Sequence, residues 1–261
     1  MSDSDEVIAS AQNAALKRVR AALRGKEPGA VFLEGRRLVE DALAAGLELE
    51  VVLVEERVAA QAPAGARLVK DGLLDGLGGV KTSPGIVALA SAPPARGLDG
   101  LEARCAGEEP LLLAVVAGVA DPGNLGALAR SAEAFGCDAV VVVAGGARPM
   151  GPKALRGSMG SLLRLDVHEA PDAASLAALL ENAGVTSFTA ATRGGASLWE
   201  LRVPARAALW ITGETGAGVD GIAGLQSVTI PMAGEVESLN AAVAGALLLH
   251  EAARQRAESG R

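Results

Sequence analysis

The sequence predicts an α/β protein whose larger part is a parallel sheet with helices on both faces. Five short runs, "LLLAVVAGV", "DAVVVVAG", "SFTAAT", "AALWITG" and "SVTIPM", are largely apolar, as strands buried on both faces must be. A helical or loop segment separates each run from the next, the alternation of a crossover-connected parallel sheet. A third observation adds a smaller unit. The chain has 261 residues, 50% of them hydrophobic, which suffices for one large core or two lesser ones. Its first 93 residues carry a mixed pattern of their own.

In that first part "NAALKRVRAALRG" has helical spacing, and "AVFLEG" and "LEVVLVEE" have the composition of strands. "RRLVEDALAAG" is an amphipathic helix closed by Gly46. A further strand, "GIVALASA", follows the turn at Ser83, Pro84 and Gly85. The stretch "PPARGLDGLEARCAGEEP" is rich in Pro, Gly and charge, which marks a linker at residues 94–108. The expected domains are therefore residues 1–93 and 109–261.

Parallel sheets of this kind bind ligands in the loops at the carboxyl ends of their strands. Three such loops are unusual here. The first, Asp121-Pro122-Gly123-Asn124-Leu125-Gly126, leads into a helix from about Ala127, with Arg130 six residues after Asn124. Spacing alone leaves two readings open: a capping Asn124 beside a surface Arg130, or two members of a polar site. The second loop, "GETGAG" from Gly213 to Gly218, is glycine-rich but is neither a Walker sequence nor a dinucleotide fingerprint, and a sharp turn explains it most simply. The third, "MAGEVESLN", sets Glu237, Ser238 and Asn240 before the apolar "AAVAGALLL". Ser238 is expected to cap a helix starting at Leu239, with Asn240, a mediocre helix former, in its first turn. That helix is apolar all round, which calls for burial on more than one side, in the core or against a second copy of the chain.

Composition narrows the function classes. A formal charge of -7 argues against a generic polyanion binder, although residues 1–37 carry seven bases against five acids. Tyr is absent and aromatic residues make up 2% of the chain, so an aromatic platform for stacked bases is a poor candidate, and any nucleic-acid binding must rest on Lys, Arg and backbone groups. No apolar run reaches membrane-spanning length, and the acidic N-terminus lacks an apolar signal core, so a soluble cytoplasmic protein is expected. Two Cys and two His, all scattered, give no metal-site spacing, and no metal is expected.

The three loops in this order resemble the signature of the SpoU/TrmH family, the RNA 2′-O-ribose methyltransferases of the SPOUT class. The resemblance rests on "DPGNLGALARSAEAFG", "LWITGETGAGV" and "IPMAGEVESLNAAVAGALLLHEAARQR", with support from "RGSMGSLLRLDV" and "ATRGGASLWE". The stretch with "VFLEGRRLVEDALAAG" and "TSPGIVALA" resembles the family's N-terminal L30e-like substrate-binding domain. The resemblance implies that residues 109–261 form a SPOUT α/β-knot, a parallel sheet with a deep trefoil knot, which sequence reasoning alone would not propose. It implies a homodimer that uses S-adenosylmethionine to methylate a ribose 2′-hydroxyl of RNA, ribosomal in preference to transfer RNA. Carried over by motif, Thr192, Gly213, Gly218, Ile230, Met232 and Leu239 would contact the cofactor. Asn124, Arg130, Ser238 and Asn240 would form the catalytic cluster, with Arg130 drawn from the opposite subunit. One departure stands out: the family's usual second-motif Glu falls at Thr215, and Glu214 precedes it by one place. Glu214 therefore either substitutes for that carboxylate or leaves it missing. Lys17, Arg18, Arg24, Arg36, Arg37, Lys153 and Arg156 become candidate RNA contacts. The alternatives are a knotted RNA-binding protein with weak or no catalysis, a tRNA 2′-O-methyltransferase, and a SAM-dependent enzyme acting on another nucleophile.

Overall fold

The computed structural model describes residues 7–94, 96–213, 219 and 221–260. In chain order the first elements are α1 (Ala14–Leu23), β1 (Ala30–Glu34), α2 (Arg36–Ala44), β2 (Leu49–Glu55), β3 (Arg67–Val69) and β4 (Ile86–Ser91). Then come α3 (Leu98–Cys105), β5 (Leu111–Ala117), α4 (Pro122–Ala134), β6 (Ala139–Val143), α5 (Pro152–Ser158), α6 (Ser161–Arg164) and β7 (Val167–Ala170). The chain ends with α7 (Ala173–Asn182), β8 (Thr186–Ala191), β9 (Ala196–Ser197), β10 (Arg206–Thr212), β11 (Leu225–Thr229) and α8 (Ala241–Glu258). Two units result. Residues up to 94 group with 150–164, and 95–149 group with 165–261.

The first unit is built on a four-stranded sheet of order β1-β4-β2-β3, in which β4 runs antiparallel to β1 and β2, and β3 parallel to β2. Helix α1, capped by the Asn13 side chain, buries Leu16 and Val19 in a cluster with Phe32, Leu53, Val87 and Leu89. Segment 150–164 was expected in the second domain from its place in the sequence, yet it groups with this unit. Two ion pairs explain why. Arg156 Nη1 donates to Glu34 Oε2 at 3.0 Å and to the Gly78 carbonyl at 2.7 Å, and Arg164 meets Asp41 at 3.0 Å. Glu34 is buried, and that burial holds its carboxyl above the usual range even though Arg156 pulls it down.

The second unit is a seven-stranded sheet of order β7-β6-β5-β10-β8-β11-β9, with its ladders parallel. The α/β class and the five strands expected from apolar runs are observed. The two additional strands, β7 and β9, lie at the sheet edges and escaped sequence reading because one carries the adjacent polar residues His168 and Glu169 in only four positions and the other has only two residues. Val115, Val141, Ala208 and Trp210 face a cluster completed by Leu101 of α3 and Leu176 and Leu180 of α7. Helix α3 falls within the stretch expected as a linker. Its Leu101 and Cys105 are anchored in this core, so the Pro- and Gly-rich composition marks the ends of a helix there.

Helices α4 and α8 pack on each other, and α8 also packs on β10. Gly245 of α8 makes the approach possible, because a Cβ there would meet Leu128 of α4 and come within 2.8 Å of Ile211 Cγ1. The all-apolar helix is nevertheless covered on one side only within the chain: Val243 and Leu247, one turn apart, remain 49% and 40% exposed.

Two outcomes follow from this packing. Gly245→Val overfills the α4–α8 contact and is expected to cost about 1–3 kcal/mol, read as a lower urea midpoint. Cys105 and Cys137 are both buried, and desolvation pushes the Cys137 thiol up to about 12 and raises that of Cys105. Both thiols therefore stay protonated near neutral pH. A thiol reagent at pH 8 is expected to titrate neither in the native protein and both after denaturation.

Candidate active site at the carboxyl ends of the strands

The loops after β8, β10 and β11 converge on one cleft that is open to solvent. Ala190, Ala191 and Thr192 line it from β8, Ile211, Thr212 and Gly213 from β10, Ile230, Met232, Ser238 and Leu239 from the loop after β11, and Ala241 and Ala244 from α8. Six positions singled out from the sequence thus meet here: Thr192, Gly213, Ile230, Met232, Ser238 and Leu239. The small residues at the strand ends and on α8 were missed, since alanines carry no chemical signal. Among the described residues, none of the lining side chains is ionisable.

Close backbone contact shapes this edge of the sheet. A Cβ on Gly213 would fall on the Gly118 carbonyl, and the Gly213 N–H donates to the Ala117 carbonyl at 3.0 Å. Gly213 is therefore required to let the ends of β5 and β10 touch. From Met232 to Leu239 the chain is irregular, and among the described residues its backbone N–H groups reach no backbone carbonyl. Of these residues, Met232, Ser238 and Leu239 line the cleft.

Asn240 ties the cleft to α4. It is the N-cap of α8, which begins at Ala241, so the expected capping by Ser238 of a helix from Leu239 is corrected. The Asn240 Oδ1 accepts from the N–H groups of Ala242 at 2.8 Å and Val243 at 3.4 Å. That fixes which end of the amide is oxygen and leaves Nδ2 to donate to Asn124 Oδ1 at 3.1 Å. Asn124 is in turn not a cap: α4 starts at Pro122, with the Asp121 carboxylate accepting from the Gly123 N–H. Arg130 lies six residues further along α4, about 9 Å up the axis and about 120° around it from Asn124 by helix geometry. It is exposed and, among the described residues, makes no hydrogen bond or ion pair. Asn124, Asn240 and Ser238 are thus placed at the start of α4 and α8, and Arg130 on a different face of α4.

Residues 111–250 match the SpoU rRNA Methylase family model. The chain belongs to the SpoU family. It is 34% identical over 199 residues to the 23S rRNA (guanosine-2′-O-)-methyltransferase RlmB of Xanthomonas axonopodis pv. citri, covering 73% of this chain and 78% of the relative. It is 32% identical over 228 residues to the 23S rRNA (guanosine(2553)-2′-O)-methyltransferase RlmP of Bacillus subtilis, covering 84% and 86%. Among solved structures, the SpoU methyltransferase AviRb from Streptomyces viridochromogenes, in complex with AdoMet, aligns with a TM-score of 0.76 at 26% identity over 94% of this chain and 100% of its own.

The remaining candidate residues of this SpoU protein divide by their surroundings. Glu214 and Gly218, with the departing Thr215, lie outside the described residues. Among the basic side chains, Arg18 pairs with Glu27 and Glu50, Arg36 with Glu40, Arg37 with Asp41, and Arg156 with buried Glu34. Lys17 and Arg24 are exposed and without such pairs among the described residues, and Lys153 is exposed. Among the described residues no group of three or more His, Cys, Asp and Glu is placed to hold a metal, and no helix is long and apolar enough to cross a membrane.

Asn240 offers a clean test of the cap. Asn240→Ala is expected to lower stability by about 0.5–2 kcal/mol, whereas Asn240→Asp keeps the acceptor and should unfold near the wild-type urea midpoint. Equal midpoints for the two variants would contradict the capping geometry.

Proposed function

We propose that this SpoU protein transfers the methyl group of S-adenosylmethionine to a ribose 2′-hydroxyl of 23S ribosomal RNA. The observation that carries the reading is the convergence of three separate loops on one cleft, uncharged among the described residues, with the Asn124–Asn240 pair beside it. The cleft suits the cofactor: small and aliphatic side chains would take its adenine and ribose, and the backbone N–H groups of Met232, Ser238 and Leu239 would take its polar edges. Thr192, Gly213, Ile230, Met232 and Leu239 are the residues that would hold it. When bound, it supplies an electrophilic methyl group on a sulfonium. The rRNA substrate is supported by the names of the relatives RlmB and RlmP, and a ribosomal substrate sets the reaction in the cytoplasm.

The chain's own task is to present a hydroxyl, a weak nucleophile, and to accommodate the charge as its proton leaves. Asn240 and Ser238 orient the hydroxyl by hydrogen bonds. Arg130 stabilises the developing alkoxide and positions the neighbouring phosphate, a role suited to its fixed fork of donors. Since α4 turns Arg130 away from Asn124 on the same chain, Arg130 serves the cleft of a second copy. The exposed Val243 and Leu247 of α8 supply apolar surface for that dimer.

Arg130→Ala is expected to lower methyl transfer to 23S rRNA about 10²–10³-fold, measured with methyl-labelled cofactor, while equilibrium dialysis shows cofactor binding unchanged. Near-normal turnover would remove the assignment. Sedimentation at micromolar concentration is expected to give twice the 26.1 kDa chain mass, and a monomer would rule out a residue shared between copies.

A further inference from the structure

The chain has two tryptophans, and the structure sets them at opposite extremes: Trp210 is fully buried, and Trp199 is 80% exposed. Trp199 is not on a loose loop. The Leu198 N–H donates to the Thr229 carbonyl at 2.9 Å, and the N–H groups of Trp199 and Glu200 both return to Ser197, on Oγ at 3.3 Å and on the carbonyl at 3.0 Å. Gln255 of α8 then holds the following residues, donating to the Leu201 carbonyl at 2.7 Å and accepting from the Val203 N–H at 2.9 Å. Leu198 and Leu201 are turned inward and buried, which leaves the indole between them as the outward side chain. A large apolar ring held in water by a rigid turn is the informative kind of exposure.

Its neighbours point to a ligand. Arg193 and Arg202 flank it in the chain, both exposed and, among the described residues, without ion pairs, beside one exposed carboxylate, Glu200. The segment adjoins the cleft at both ends, because Thr192 precedes Arg193 and Ile230 follows Thr229, and both Thr192 and Ile230 line it. An exposed ring with two arginines near it in the chain, on a segment joined at both ends to the lining of a ribose-methylating site, has the chemistry of a single-stranded nucleic-acid platform, where bases stack on rings and phosphates meet arginines.

We propose that Trp199 stacks on an unpaired base of the RNA substrate, with Arg193 and Arg202 on the flanking phosphates. The proposal rests on the RNA reading above. It also runs against the expectation, drawn from composition, that an aromatic platform for stacked bases is a poor candidate. One ring suffices if it is correctly placed.

The test uses the whole protein and a 5′-fluorescein-labelled single-stranded oligo(A) dodecamer, with affinity read from fluorescence anisotropy in every variant and tryptophan emission followed alongside in the wild type. Binding is expected to quench the exposed indole and leave the signal of Trp210. Trp199→Ala should weaken binding roughly 5- to 150-fold, the range for one stacked base, whereas Trp199→Phe, which keeps a π face, recovers most of it. Cofactor binding should be the same in all three proteins. Arg193→Ala and Arg202→Ala should each lower the slope of log affinity against log salt by about 0.7. Wild-type affinity in Trp199→Ala overturns the proposal. So does an indole already shielded from acrylamide in the free protein in a concentration-dependent way, which would assign Trp199 to contact with a second copy. Should the wild type bind no RNA while still binding cofactor, the RNA reading itself fails and this inference falls with it.

Discussion

Burial of the parallel sheet on both faces is the constraint from which the second unit follows. Strands β5, β6 and β10 carry apolar side chains on either side, so helices must cover both, and neither face can hold polar chemistry. Only the carboxyl edge is left. There the chain is brought together backbone to backbone, at Gly213 on Gly118 and at Gly146 near the Val119 carbonyl. Side chains at those glycines would hold the loops apart. With them absent, three strand ends and the start of α8 enclose a cleft from segments as distant in the chain as residues 190 and 244.

Much of this was legible because the signals are local. Apolar runs announce buried strands, and the Pro- and Gly-rich turns announce the loops between them. What escaped depends on partners far along the chain. Asn240 reads as a poor helix residue until its oxygen is found capping α8 and its nitrogen bonded to Asn124, 116 residues away. No spacing rule contains that distance. Segment 150–164 reads as part of the second domain because it lies between two of its strands. The deciding partners of Arg156 and Arg164 are Glu34 and Asp41, whose positions are set by the other sheet.

The paired arginines show why charge counts alone misjudge an RNA-binding surface. Arg36 with Glu40 and Arg37 with Asp41 are helix-face pairs with exposed guanidinium groups, and such pairs are worth little in water. A phosphate can compete for them, so pairing alone does not remove these residues as candidate RNA contacts. Arg156 differs. Its partner Glu34 is buried, and taking the arginine away would strand a carboxylate out of water, which is costly. Arg156 is better placed as a structural anchor of the first unit than as a contact given up to RNA.

The lining of the cleft, uncharged among the described residues, bears on catalysis as well as binding. A sulfonium cofactor is repelled by cations held beside it, and a lining of small, aliphatic and hydroxyl side chains avoids that repulsion. The nucleophile has the opposite need, since the oxygen gains negative charge as its proton leaves. One wall cannot meet both needs. Under the proposed function, an Arg130 on α4 that serves a second copy's cleft would separate the two electrostatic tasks in space. The positive charge would then arrive only when that second copy is in place. On this reading dimerisation belongs to the chemistry, because a monomer would retain the cofactor site and lack the group that stabilises the attacking oxygen.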